Sequence, residues 1–249
     1  MKKKMLVAVC VVLLGSAAAL ALDPMGPPSA SLEKGQWNAG VEYSYSDMEI
    51  ERQPTSWSSA NRNVDIEMHK VYGNIGYGIS ENVTGFIRVG LASMEWDRIS
   101  GRSDPWKGDD GNWDCAWGGG IKATLSQSPE VSWGFLVQFS ETDLTGDMKA
   151  DGSTGSYEVK LDEIQLAVGP TWQAGDGIQI YGGPFVEFIR GRWEDNKDGY
   201  TLRKPIEEEA CIGGYIGTMI ELAENTSLTA EYMLITDGWA LAGGVCWLW

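Results

Sequence analysis

The sequence predicts an all-β protein, a single antiparallel up-and-down transmembrane β-barrel of about ten strands, with eight or twelve as the alternatives. Three observations carry this. Apolar residues recur at every second position through about ten segments, each long enough for the tilted span of roughly 9–11 residues that a bilayer requires of a strand. The connections alternate short and long, as they do when one rim of a barrel faces a periplasm and the other the outside. Tryptophans fall on the apolar parity at both ends of the segments, where two girdles would meet lipid headgroups.

The N-terminus predicts export. Lys2, Lys3 and Lys4 precede an apolar run from Met5 to Leu14, and small residues then lead to Ala19-Leu20-Ala21. This is the pattern of a secretory signal peptide over residues 1–21, cleaved after Ala21. The run is too short to span as a helix and no later run reaches that length, so any crossing is by strands. Cys10 lies inside the apolar run after Val9, which argues against a lipoprotein. Cleavage leaves 16 basic residues against 35 acidic, a net charge of −19, so nucleic acid and anionic lipid are poor partners. Cys115, Cys211 and Cys246 remain, an odd number at no metal-like spacing, and neither a disulfide framework nor a metal site is expected.

Residues 22–35 contain Pro and Ser without periodicity and read as a mobile N-terminal lead, and residues 36–249 as the barrel domain. In the first strand Trp37, Ala39, Val41, Tyr43 and Tyr45 share the apolar parity, with Glu42 behind. The second sets Val71, Ile75, Tyr77 and Ile79 against Lys70 and Tyr72, and the third sets Ile87, Val89 and Leu91 against Phe86 and Arg88. The fourth runs Trp113, Cys115, Trp117, Ile121 with Lys122 behind, and the fifth Trp133, Phe135, Val137, Phe139. The sixth carries Ile164, Leu166, Val168 and Trp172 against Glu163, and the seventh Ile178, Ile180, Val186 and Phe188 against Tyr181 and Glu187. Pro184 lies inside the seventh and, lacking a donor, predicts a bulge. The eighth has Ile212, Ile216 and Ile220 opposite Cys211 and Tyr215, and the ninth Leu228, Tyr232 and Leu234 opposite Glu231. The stretches 48–62, 97–112, 142–157 and 191–208 are polar and predict long loops. Trp96 and Trp193 fall on the parity opposite to a girdle, which calls for a bulge or a loop position.

The closing strand, Trp239 to Trp249, alternates Trp239, Leu241, Gly243, Val245, Trp247 and Trp249 with smaller residues and stops on tryptophan. It resembles the last strand of bacterial outer-membrane β-barrel proteins, among them the small OmpA-like and omptin-sized barrels. That resemblance implies an outer-membrane location and makes Val245, Trp247 and Trp249 the signal read by the barrel-assembly machinery. It also makes Trp37, Trp113, Trp117, Trp133, Trp172, Trp239, Trp247 and Trp249 the aromatic girdle. A soluble lipocalin-like barrel or lectin sandwich would share the alternation with its apolar face inward. The glycines on the more polar parity and the terminal tryptophan count against it.

No catalytic set emerges. The omptin proteases use an Asp-x-His dyad with a separate acidic pair, and Glu67-x-His69 is the nearest local match, with Glu for Asp and no acidic pair to join it. His69 reads as a solvated rim histidine and the chain as a non-enzyme. Glu194-Asp195-Asn196-Lys197-Asp198-Gly199 and Asp110-Gly111-Asn112-Trp113-Asp114 resemble the start of calcium loops, but the closing ligand or the glycine is missing in each, so no metal or other cofactor is expected.

The inward parity carries the functional expectation. Lys70, Arg88 and Lys122 lie on strands two to four, Glu163, Glu187 and Glu231 on strands six, seven and nine, and Glu42 on strand one, so that in a closed ring the two sets are mostly on opposing walls. The strand positions predict a ladder of ion pairs: Lys70 with Glu163, Arg88 with Glu187 or Glu42, Lys122 with Glu231. Charges removed from water in a narrow lumen must be paired. The expected function is an outer-membrane barrel with a plugged lumen and a structural or surface-interaction role through acidic extracellular loops. A narrow porin-like channel and a rim enzyme are the alternatives. Its expected partners are outer-membrane lipid, the barrel-assembly machinery and an extracellular ligand of the loops.

Overall fold

The structure is a computed structural model that describes residues 22–52, 62–99, 107–108, 112–150, 153–197, 200–207, 211–236 and 238–249. The expected signal peptide, Trp57, Asp110, Gly111, Asp198 and Gly199 lie outside the described residues. Among the described residues twelve strand segments follow one another: β1 (Trp37–Arg52), β2 (Arg62–Ser80), β3 (Val83–Ile99), β4 (Lys107–Gly108), β5 (Asp114–Gln127), β6 (Val131–Ala150), β7 (Ser153–Gly175), β8 (Ile178–Lys197), β9 (Tyr200–Glu207), β10 (Cys211–Ala223), β11 (Thr226–Ile235) and β12 (Gly238–Leu248). β4 and β5 occupy one place in the wall, each between β3 and β6, and β9 and β10 occupy another beside β8. The wall therefore has ten positions, all antiparallel, as the sequence predicts.

The first and last strands close it. β12 pairs with β1 from Asn38↔Leu248 to Met48↔Gly238, and Trp37 and Trp249 exchange backbone hydrogen bonds of 3.1 and 3.0 Å. A closed ladder leaves no edge to recruit another chain, and in lipid it is the only sheet whose backbone groups are all paired.

Alternation decides what each face meets. On β6 Trp133, Phe135 and Phe139 point outward and are exposed, while Leu136, Gln138 and Ser140 point inward and are buried. The same outward belt runs round the wall through Ile75, Ile87, Val89, Trp117, Ile121, Ile164, Ile212 and Ile216. Nine residues of tilted strand, Val131 to Phe139, rise roughly 22 Å along the barrel axis, which matches an apolar band of about 25 Å. An apolar belt of this height around a polar lumen is a surface for lipid, not for water. The eight tryptophans expected to form the girdle lie on this outward parity, with Trp37, Trp113, Trp117, Trp133, Trp172, Trp247 and Trp249 exposed and Trp239 edge-on to Tyr45 at 5.5 Å.

The strands do not stop at the belt. β6, β7 and β8 have 20, 23 and 20 residues, about twice the span a bilayer needs. Much of the polar stretches 48–62, 97–112, 142–157 and 191–208, expected to be long loops, is therefore continued strand. Above the belt the hydrophobic pattern inverts on unchanged parity. On β6 Glu141, Asp143 and Asp147 face out while Leu144 and Met148 are buried; on β7 Glu158, Lys160 and Asp162 face out while Tyr157, Val159 and Leu161 are buried. Water has replaced lipid outside, so the apolar face belongs inside. Polar outward residues read as loop because the period-two signal moved to the other face.

This inversion places Trp96 and Trp193, for which no bulge or loop is needed. Both point inward and are buried, and with Tyr157 they form a cluster whose ring centroids lie 5.7–6.0 Å apart.

Pro184 does not make the expected bulge either. The β7–β8 register is the same on both sides of it, at Ala167↔Phe185 and Thr171↔Tyr181, with the ladder interrupted between. Glycine replaces the bulge: a Cβ on Gly183 would lie 2.1 Å from the Val168 carbonyl oxygen, and one on Gly169 1.9 Å from that of Gly182. The two backbones press together where the proline cannot bond.

Candidate functional site

The lumen is filled in three tiers, and the N-terminal segment makes the lower two. Residues 22–35, expected to be a mobile lead, instead run up the barrel interior from the short-turn rim. Leu22, Asp23, Met25, Ser29 and Leu32 are buried there. The lowest tier is a fit of backbone to small side chains. Leu32 N donates to Thr84 Oγ1 (3.4 Å), Ala30 N to Thr124 Oγ1 (3.2 Å), and Ser29 Oγ lies 3.0 Å from Thr171 Oγ1. Glycines leave the room: a Cβ on Gly134 would sit 2.2 Å from Ser29 N, and one on Gly78 1.9 Å from Glu33 O. Higher up, Met25 N and Gly26 N donate to the two carboxylate oxygens of Glu231 at 3.0 and 2.8 Å.

The middle tier is ionic. Asp23 accepts from Lys70 Nζ on one oxygen (3.0 Å) and from Arg88 Nη2 on the other (3.1 Å), and Lys70 also donates to Glu163 Oε2 (2.7 Å). Ser140 Oγ donates to that same Glu163 oxygen at 2.8 Å. Arg88 further donates to the Pro24 carbonyl (3.2 Å) and lies over the Tyr72 and Phe86 rings at 5.0 and 5.8 Å. Gln138 donates to Gln165, which donates to Glu187 Oε1 at 2.8 Å. All of these charged groups are at most 3 % exposed, so pairing them is a condition of the fold: one partner lost in a dry interior costs several kcal/mol.

The top tier is apolar. Met48, Ile66, Met68, Met94, Leu144 and Leu161, with the Trp96–Tyr157–Trp193 cluster, close the lumen above the charges.

Of the expected ladder, Lys70 meets Glu163. Arg88 pairs with Asp23 and not with Glu187 or Glu42, because the inserted segment brings a carboxylate nearer than the far wall. Glu231 is occupied by the Met25 and Gly26 amides. Lys122 lies 5.7 Å from the Phe86 ring centroid. Lys122, Glu42 and Glu231 line a cavity of about 410 Å³ at the short-turn mouth, beside Met25 and Gly26. Sequence reasoning missed Asp23 entirely, because a lone acid in an aperiodic stretch carries no face. The trace it left was on the wall, in the glycines of the polar parity.

The other sequence candidates are drawn elsewhere. Glu67 and His69 point outward: Tyr45 Oη donates to Glu67 at 3.0 Å, and Tyr43 Oη shares a 2.8 Å hydrogen bond with His69 Nδ1. They form an aromatic and polar patch above the belt, apart from the lumen. Glu194 accepts from Arg192 (2.7 Å) and Arg203 (3.0 Å), and Asp114 accepts from the Thr145 amide and hydroxyl. Cys115 faces outward and Cys211 and Cys246 inward, and none of the three is joined in a disulfide.

No protein-family model and no curated protein matches the chain. Solved structures do. The outer membrane protease OmpT from Escherichia coli is similar over 92 % of this chain and 99 % of its own, with a TM-score of 0.61 and 9 % identity. The outer membrane protein OprG from Pseudomonas aeruginosa is similar over 87 % and 97 %, with a TM-score of 0.50 and 7 % identity. At such identity the likeness is one of fold. Together with the lipid-facing belt, it makes this chain a transmembrane β-barrel of the bacterial outer-membrane type.

Proposed function

We propose that this protein is a closed outer-membrane barrel, stoppered by its own N-terminal segment, which serves to hold a rigid acidic crown above the bilayer for surface interaction. One observation carries the reading: Asp23, brought up the lumen by residues 24–36, bridges Lys70 and Arg88 through its two carboxylate oxygens. A segment tied at its tip by two buried ion pairs and along its length by wall side chains would stand in the path of solutes. The crown follows from the same strands. Its outer face carries Asp47, Glu67, Glu95, Glu141, Asp143, Asp147, Glu158 and Asp162 on continuous ladder, so its charges are held in fixed positions that suit a basic partner. The barrel-assembly machinery would read Val245, Trp247 and Trp249, which lie on the outward face of β12 or at its end.

The second reading is a gated narrow channel. It is favoured by the 410 Å³ cavity at the short-turn mouth and by the noncovalent hold on the plug. Planar-bilayer recording of the refolded mature protein tests both. The stoppered reading expects baseline current with the full chain and steady openings once residues 22–35 are deleted. Large steady conductance in the unaltered protein rejects it. An enzyme of the omptin kind is the weaker reading, since Glu67 and His69 face away from the lumen.

A further inference from the structure

Among the described residues the middle tier is one positive charge short. Asp23, Glu163 and Glu187 are buried together with Lys70 and Arg88 as the cations that answer them. Glu163 Oε1 and Glu187 Oε2 are buried with no hydrogen-bond partner among the described residues. Both acids belong to one connected set. Glu163 shares Lys70 with Asp23, and Glu187 is joined through Gln165 and Gln138 to the Pro24 carbonyl, which Gln138 Nε2 approaches at 3.4 Å. Leu22, the residue before Asp23, is 1 % exposed. Its backbone nitrogen is the first atom of the segment that processing after Ala21 would turn into a chain end.

We propose that cleavage between Ala21 and Leu22 supplies the missing cation: the α-ammonium of Leu22 is a built-in ligand of the buried carboxylates, Glu187 foremost, and completes the plug. Hydrolysis of that amide by a processing protease consumes one water and leaves a carboxylate on Ala21 and an α-ammonium on Leu22. The three acids are then matched by three cations. Uncompensated charge in a dry interior is strongly disfavoured, so the plug is held far better after cleavage than before. The segment climbs from the short-turn rim toward Asp23, and above it the lumen is packed with Met68, Met94, Leu144, Leu161 and the tryptophan cluster. The inference rests on the stoppered reading and adds to it the group that locks the stopper.

Two measurements test it. The intact mass of the protein isolated from outer membranes is expected to begin at Leu22; a mature chain beginning one or more residues away overturns the proposal. Refolded chains beginning at Leu22 are then compared with the α-amine free or acetylated, each with Glu187 or with Glu187→Gln. Acetylation keeps the chain length nearly unchanged and removes the charge. It is expected to lower the melting temperature by several degrees with Glu187 present and by much less with Glu187→Gln, where no second acid waits for a cation. An equal loss in both backgrounds, or none in either, overturns the ammonium–Glu187 pair. Bilayer current separates the two readings: a free-amine chain that conducts steadily sinks the stoppered barrel itself, whereas a silent chain indifferent to acetylation sinks only the ammonium.

Discussion

Arg88 donates to Asp23 at 3.1 Å inside the barrel, a contact that ties the N-terminal segment to a wall strand. Asp23→Asn removes the charge shared by Lys70 and Arg88 and is expected to cost about 3–5 kcal/mol, the range for breaking a buried pair from one side. Asp143→Asn, which loses the exposed pair with Lys160 (2.8 Å) on the crown, is expected to cost under about 1 kcal/mol. The temperature at which the folded, fast-migrating form converts to the slow form on a gel reads both. Equal shifts would remove the argument for an anchored plug.

Gly134 separates plug from wall. A side chain there would occupy the space of Ser29, while the β6 ladder with β5 and β7 stays intact. Gly134→Val is expected to leave the barrel folded, expel residues 22–35 and make them cleavable by protease added from the short-turn side. Full protection of that segment in the variant would show that its path avoids Gly134.

Trp193 packs on Trp96 and Tyr157 at 5.7 Å and is 1 % exposed. Trp193→Ala is expected to cost about 3–5 kcal/mol, as truncation of a buried aromatic does, and to flatten the near-ultraviolet circular dichroism. The same change at Trp113, exposed on the outer face, is expected to leave that spectrum nearly unchanged. If Trp193→Ala proves as mild as Trp113→Ala, the upper lumen is not a packed core.

Trp249 ends the strand that closes the barrel on Trp37. Trp249→Ala is expected to lower the amount assembled in the outer membrane several-fold more than Trp57→Ala, a position the sequence assigns to a loop. Comparable assembly of the two variants would deny the closing strand its role as a signal.

The sequence by itself determined the wall. Period two along a strand is set by the backbone, so residues such as Val71 and Lys70 had to face different solvents, and the Lys70–Glu163 pair could be foreseen from parity and height alone. The same reasoning misread the crown. Leu144, Met148, Tyr157 and Val159 alternate as regularly as the belt does, but with the apolar face inward, and their polar outward neighbours hid the strand. Tertiary structure alone decided what fills the lumen. Residues 22–35 have no periodicity because they form neither helix nor ladder: they are held point by point by wall residues, Asp23 by Lys70 and Arg88, Met25 by Glu231, Ser29 by Thr171. Such contacts depend on ten strands meeting around a common axis, and no local pattern in the chain records that meeting.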